Sequence, residues 1–411
     1  MKLLKVDTLQ EAREKLLKAV SEKPLDTERV RFASSLGRVL AADIRAVESI
    51  PPFRRSTVDG YAVKAADTQG VTESIPVFLD VIETVEMGAA PQTTISSGQA
   101  VYVPTGGMLP EGADAMVMIE YCEKFDESSI AVYDPVSPGR NVVAVGEDIA
   151  AGNVFLPKGR RIRPQEVGVM SSAGVFEAEV FKPWRISIIS TGDELVTTEE
   201  APQPGQIRDI NTYSISSASE KYGFEIVGAA VLKDDEALLE KVVRDAMDKS
   251  DVVVVSGGSS QGEKDHTADV MDRLSEPGVF THGIALKPGK PTILGYDERS
   301  ETVMVGLPGH PAAALMVFEL LVGWLYRRIT CQKEPAAVPA VLTENVAAAG
   351  GKATCLLVEL AEDEETGEYR AVPIYGKSGL MTTLTRADGY VMIDTDHEGL
   401  SEGRRVKAVL F

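Results

Sequence analysis

At 411 residues the chain is long enough for about two to four domains with cores of their own. Its 44% hydrophobic and 25% charged residues are those of a soluble globular protein, which excludes long disordered tracts. A net charge of −20 excludes general binding to nucleic acid or to an anionic membrane surface, so an anionic ligand would need a locally positive pocket.

Cys122, Cys331 and Cys355 are odd in number and widely spaced, which gives neither a disulfide framework nor a paired-thiol metal signature. The first residues turn charged too soon for a signal peptide. The longest apolar stretch, 312–326, is interrupted by Glu319 and is too short to span a bilayer. These features predict a reducing, cytoplasmic compartment.

Residues 7–20 place Leu9, Ala12, Leu16, Leu17 and Val20 at helical spacing behind a cap at Asp7 or Thr8. Residues 26–40 predict a second helix ending near Gly37. Pro51 and Pro52 then stiffen the approach to Asp59-Gly60, which reads as a tight turn. Strand-like runs at 77–82, 100–104 and 115–120 predict a small β-rich module. Its polar loop carries Thr105, which can donate to a ligand or merely cap the turn. Glu147 and Asp148 follow another short apolar run; adjacent acids in a turn are ordinarily just solvated.

From Trp184 onward strands and helices alternate, which predicts a parallel sheet. Strand 185–190 runs into Thr191-Gly-Asp-Glu194, and strand 225–232 into Lys233-Asp-Asp235. Helices are predicted at 211–222, 236–249 and 269–274. The central stretch is 252–265, where four valines apolar on both faces break into Ser-Gly-Gly-Ser-Ser-Gln-Gly-Glu-Lys-Asp. Ligands of open α/β sheets bind at such strand ends. Gly257 and Gly258 let backbone N–H groups approach an anion, Ser259 and Ser260 offer hydroxyls, and Glu263 and Asp265 add carboxylates. The Gly-x-x-x-x-Gly spacing of a nucleotide phosphate loop is present, but Glu263 and Lys264 stand where that motif needs Lys and Ser or Thr. The plainer reading is a strand-to-helix turn capped by Asp265 or Thr267. Three strand ends with polar, acid-containing turns at one sheet edge nevertheless suggest a site.

Residues 283–294 hold Lys287 and Lys290 in a loop stiffened by two prolines and a glycine, an arrangement suited to anion contact. Strand 303–306 leads to Leu307-Pro-Gly-His-Pro311, with Pro311 at the first position of a long helix over 312–328, whose start offers free N–H groups. Beyond Pro335, short strands and glycine turns predict a β domain with no strong helix. The four histidines, His266, His282, His310 and His397, lack zinc-binding spacing, so a bound metal would be a Mg²⁺-like ion held by oxygens.

Seven motifs taken together resemble the molybdopterin molybdenumtransferases, the family that includes the E domain of gephyrin. They are Ser56-Thr-Val-Asp-Gly-Tyr-Ala62; Thr105-Gly-Gly with Pro110-Glu-Gly-Ala-Asp114; Gly146-Glu-Asp-Ile149; Ser190-Thr-Gly-Asp-Glu-Leu195; Ser256-Gly-Gly258 with Gly262-Glu and Asp265; Lys287-Pro-Gly-Lys-Pro291; and Leu307-Pro-Gly-His-Pro311. The resemblance implies a multidomain α/β and β fold. A linking and dimerisation region (1–50 with 140–180) carries an inserted β-rich module (51–139), followed by an α/β molybdopterin-binding domain with a mostly parallel sheet (181–332) and a C-terminal β barrel (333–411).

The implied activity is insertion of molybdate into adenylylated molybdopterin with release of AMP, aided by Mg²⁺. Also implied are a homodimer in which Asp59 of one subunit faces the sheet edge of the other, and the molybdopterin adenylyltransferase as a partner. The catalytic acids would be Asp59, Asp148, Glu194, Asp234 and Asp265, with Glu194, Glu263 and Asp265 serving the metal. Substrate contacts would come from Thr105, Gly257, Gly258, Ser259, Ser260, Lys287, Lys290, Pro291, Pro308, Gly309, His310, Pro311 and Ser378, with Lys352 beside the last. Because molybdate is a dianion, the lysines and backbone donors suit it and the carboxylates suit the cation, water or protons. Three positions depart from the family pattern: Val142-Val-Ala-Val145 where arginines are common, Ser259-Ser-Gln261 for Val-Ser-Val, and His310 for Asn. Tungstate insertion and a non-catalytic scaffold of the same fold are the alternative readings.

Overall fold

A computed structural model of the protein describes residues 6–21, 25–257, 266–377 and 379–411. Gly258, Ser259, Ser260, Glu263, Asp265 and Ser378 therefore lie outside the described residues.

The α/β domain is built on a six-stranded sheet in the order Glu225–Leu232, Arg185–Thr191, Val252–Ser256, Thr302–Leu307, Ile293–Asp297, Pro277–His282. The first four strands are parallel and the last two antiparallel. Val252 and Val254 join the core under the helices Asn211–Tyr222 and Pro311–Phe318, whereas Val253 and Val255 join the core under Glu236–Met247 and Thr267–Leu274. All four valines are fully buried, and each such burial contributes about 1.5–3 kcal/mol. From Arg185–Thr191 the chain crosses to Glu225–Leu232 on one side and then returns to Val252–Ser256 on the other, which opens a crevice beyond their carboxyl ends.

The first helix is Leu9–Val20, and its cap is Thr8, whose hydroxyl accepts from Glu11 N at 3.1 Å while Glu11 accepts from Thr8 N. Asp7 is instead buried against Lys15 and Thr281, at 2.6 Å from each.

The helix expected at 26–40 is not formed. Thr27–Arg31 is a strand paired antiparallel with Glu177–Phe181, followed by a short 3₁₀ turn at Phe32–Ser34. Alternate residues Glu28 and Val30 are half-buried while Thr27, Arg29 and Arg31 are exposed. The local sequence is compatible with either period, and the distant partner strand decides. The helix expected at 269–274 starts earlier, at Thr267 after an N-cap at His266, so Thr267 is not the cap. The long helix over 312–328 is helical throughout but passes through a π-helical segment, Glu319–Gly323. There a methyl group on Gly323 would lie 2.3 Å from the Tyr222 hydroxyl oxygen, and Arg13 donates twice to Leu320 O, at 3.0 and 2.8 Å.

In the inserted module six strands lie in the order Ala115–Met118, Gly60–Val63, Gln99–Val103, Val77–Thr84, Ser129–Val132, Cys122–Lys124. Gly60 opens a strand there, and a side chain on it would lie 1.9 Å from Val117 O. The C-terminal domain closes Ala353–Glu362, Tyr369–Pro373, Ala337–Leu342, Arg405–Leu410 and Gly389–Ile393 into a barrel. Leu286–Lys287 adds to its edge, pairing with Ala353 and Thr354. The lysine loop of the α/β domain is thereby hydrogen-bonded to the barrel.

Candidate active site

The sheet edge has an acidic half and a basic half. In the acidic half, Glu194 and Asp234 stand exposed on the turns after adjacent strands Arg185–Thr191 and Glu225–Leu232. Lys233 ties the turns together by donating to Asp193 O at 2.8 Å and Leu195 O at 2.7 Å, and Asp234 N donates to Asp193 Oδ1 at 3.2 Å. Asp235 caps the helix Glu236–Met247 by accepting from Leu238 N at 2.9 Å, so of the two adjacent acids Asp235 is the capping one.

Gly257 separates the halves. Its φ is +103°, and a methyl group there would lie 2.1 Å from Thr191 O. Only glycine fits both the angle and the space.

In the basic half, Lys287, Lys290, Pro291, Pro308, His310 and Lys352 line a cavity of about 640 Å³ between the α/β domain and the barrel. Lys377, which the sequence did not single out, lines it too. No aspartate or glutamate does so among the described residues. This is the local positive environment that a chain of net charge −20 needs in order to hold an anion. The loop is fixed in place: a side chain on Gly289 would lie 2.6 Å from Val317, and Thr292 donates to Gly289 O at 2.7 Å. Pro311 is the first residue of the helix Pro311–Phe318, as expected, and Gly309 lies in the turn before it. Cys355 also lines the cavity, but burial pushes its thiol up, so it stays protonated and is a poor metal ligand.

Asp59 and Thr105 come together, with Thr105 N donating to Asp59 Oδ1 at 2.8 Å. Both are exposed on the inserted module. Asp148 is exposed as well, and its backbone N–H donates to Ile50 O at 3.1 Å. Its neighbour Glu147 accepts from Ala144 N at 2.7 Å and is a turn-holding acid. Among the described residues no hydrogen bond joins Asp59, Thr105 or Asp148 to the sheet-edge turns. Asn141, at φ +57°, donates to Met116 O at 3.1 Å and holds the turn that carries Arg140, whose side chain is exposed.

The sequence also gave no weight to three buried polar side chains at the crevice. Among the described residues Thr191 Oγ1, Asp209 Oδ2 and Asn211 Oδ1 have no hydrogen-bond partner, although their residues are only 6%, 4% and 7% exposed. Thr191 lines a void large enough for about one water, shared with Lys233, Asp234, Asp235, Glu236 and His266. Among the described residues no three acidic, histidine or cysteine side chains form a ready-made metal cluster. The donors are oxygens, which fits a Mg²⁺ ion bound by one or two carboxylates together with ligand phosphates.

A doubly wound sheet with Gly257 at the end of its central strand, an acidic rim and a lysine-lined cavity is the build of an α/β protein suited to an anionic small molecule. Residues 7–174 match the MoeA N-terminal region (domain I and II), residues 187–327 the "Probable molybdopterin binding domain", and residues 339–411 the MoeA C-terminal region (domain IV). The molybdopterin molybdenumtransferase of Haemophilus influenzae is 31% identical over 403 residues, covering 97% of each chain. A solved structure of a molybdopterin biosynthesis MoeA protein from Pyrococcus horikoshii is 37% identical with a TM-score of 0.78, covering 99% of both chains. Another, from Pyrococcus horikoshii OT3, is 30% identical with a TM-score of 0.84, covering 99% of this chain and 100% of that one. The chain belongs to the MoeA family of molybdenum cofactor biosynthesis enzymes.

Proposed function

We propose that the protein is a molybdopterin molybdenumtransferase that binds adenylylated molybdopterin, inserts molybdate into its dithiolene and releases AMP. The observation that carries this reading is the cavity lined by Lys287, Lys290, Lys352 and Lys377 beside the turn at 308–310, with no carboxylate in its described lining. Such a cavity suits a dianion, with the lysines donating charge-assisted hydrogen bonds to its oxygens. Gly257 leads the backbone close to the phosphates, and the loop residues Gly258, Ser259 and Ser260 would continue that wall. Glu194 and Asp234, together with Glu263 and Asp265, would hold Mg²⁺, which when bound offsets the charge of the pyrophosphate oxygens. Asp234 and Asp265 would also orient the attacking water and pass protons to departing oxo groups.

Asp59, Thr105 and Asp148 fit this reading if the protein is a homodimer in which the inserted module of one subunit faces the sheet edge of the other. Their lack of hydrogen bonds to the sheet-edge turns within one chain, among the described residues, supports that arrangement. The molybdopterin adenylyltransferase is the matching partner, since its product is the substrate. Cys122, Cys331 and Cys355 are all free thiols, which supports a reducing, cytoplasmic location.

The test is to supply the purified protein with adenylylated molybdopterin, Mg²⁺ and either molybdate or tungstate, and to measure AMP release and metal incorporation. Release of AMP with molybdenum incorporated is the expected result. Binding without AMP release would favour a scaffold, and turnover with tungstate alone would reassign the oxyanion.

A further inference from the structure

Asn211 is the first residue of the helix Asn211–Tyr222 and is 7% exposed. Its amide donates two hydrogen bonds, to Ser256 Oγ at 2.7 Å and to Gly309 O at 3.0 Å. These acceptors belong to different walls of the crevice beyond the strand ends, the second between Pro308 and His310 of the lysine-lined cavity. Ser256 is the last residue of the central strand, immediately before Gly257, and Gly309 lies in the turn before Pro311.

The ladder between Val252–Ser256 and Thr302–Leu307 ends at the pair Ser256 and Leu307. Beyond it, Gly257 N reaches Leu307 O only at 3.5 Å. Asn211 bridges the two chains where regular pairing runs out. The bridge is closed by Ser256, 1% exposed, whose hydroxyl donates to Pro308 O at 3.4 Å. The two walls are already close, since a methyl group on Gly309 would stand 3.7 Å from Gly257 Cα.

A residue kept for packing would not need an amide here. Among the described residues Asn211 Oδ1 is buried without a partner, an arrangement that works against stability rather than for it. We propose that Asn211 is a positioning residue: its amide sets the spacing between Gly257 and the 308–311 turn, and so holds Pro308 and His310 in place at the lysine-lined cavity where the anion binds. This rests on the transferase reading of the site and adds a residue to it.

Asn211→Ala removes both donors. Asn211→Asp keeps the shape but sets a carboxylate oxygen against the Gly309 carbonyl. In the intact protein, half-saturation by molybdate in the AMP-release assay should rise about tenfold in Asn211→Ala and further in Asn211→Asp, while each melting midpoint stays near that of the unaltered protein. Adding Ser256→Ala to Asn211→Ala should cost little more, because the two act as one unit. An Asn211→Asp variant with unaltered half-saturation beside a weakened Asn211→Ala would mean that only volume matters and would overturn the proposal. So would unchanged half-saturation in both. If the unaltered protein itself released no AMP, the transferase reading would fail, and calorimetric binding of molybdate to the same three proteins would decide the role of Asn211 by the same order of effects.

Discussion

The acidic and basic halves of the sheet edge differ in how their charges are used. Away from the edge, some acids are firmly paired: Glu166 is held by Arg163 and Arg160 and lies well below the usual carboxylate range, at about 2, and Asp251 meets Arg185. At the edge, Glu194 and Asp234 in one half, and Lys287, Lys290, Lys352 and Lys377 in the other, enter no ion pair among the described residues. Lys233, a lysine within the acidic half, points its ammonium at backbone carbonyls. Keeping the two signs apart leaves a cation and an anion each a place to bind. Mutual pairing would neutralise both.

The largest effect should come from joining the halves wrongly. Gly257→Ala forces a strained backbone and a contact of 2.1 Å with Thr191 O, so turnover should fall by about 100-fold or more. AMP release at saturating substrates checks this, and normal turnover would show that the halves do not need that junction.

Next, Lys290→Ala should weaken half-saturation by molybdate by about 10- to 100-fold, the loss of one charge-assisted hydrogen bond in a partly enclosed cavity. Its half-saturation by Mg²⁺ should hold. Glu194→Gln should show the reverse, raising half-saturation by Mg²⁺ about tenfold and leaving molybdate alone. The smallest effect is that of salt: molybdate half-saturation should rise a few-fold between about 50 mM and 500 mM salt, because Lys287, Lys290 and Lys377 are exposed and their attraction for the anion is screened.

The basic half was legible in the sequence because Pro288, Gly289 and Pro291 mark Lys287 and Lys290 as fixed, and the strand at 252–256 because its valines are apolar on both faces. Lys377 was not legible, since only closure of the barrel brings it to the cavity. Asn211 was hidden for a different reason. An Asp-x-Asn pattern before a helix reads as a cap, and one of its acceptors, Gly309 O, is a backbone atom that leaves no trace in sequence. The strand at 27–31 was misread because its partner lies at 177–181, out of reach of any local pattern. Asp59 was flagged by resemblance alone, and its carboxylate accepts from Thr105 N.

The partition of charge is tested most directly by a crossed titration. Molybdate and Mg²⁺ half-saturation are measured in the AMP-release assay for the unaltered protein, for Lys287→Ala with Lys290→Ala, and for Glu194→Gln with Asp234→Asn. The account predicts that the lysine pair shifts only the molybdate curve and the acid pair only the Mg²⁺ curve. Equal shifts of both curves in either pair would contradict it.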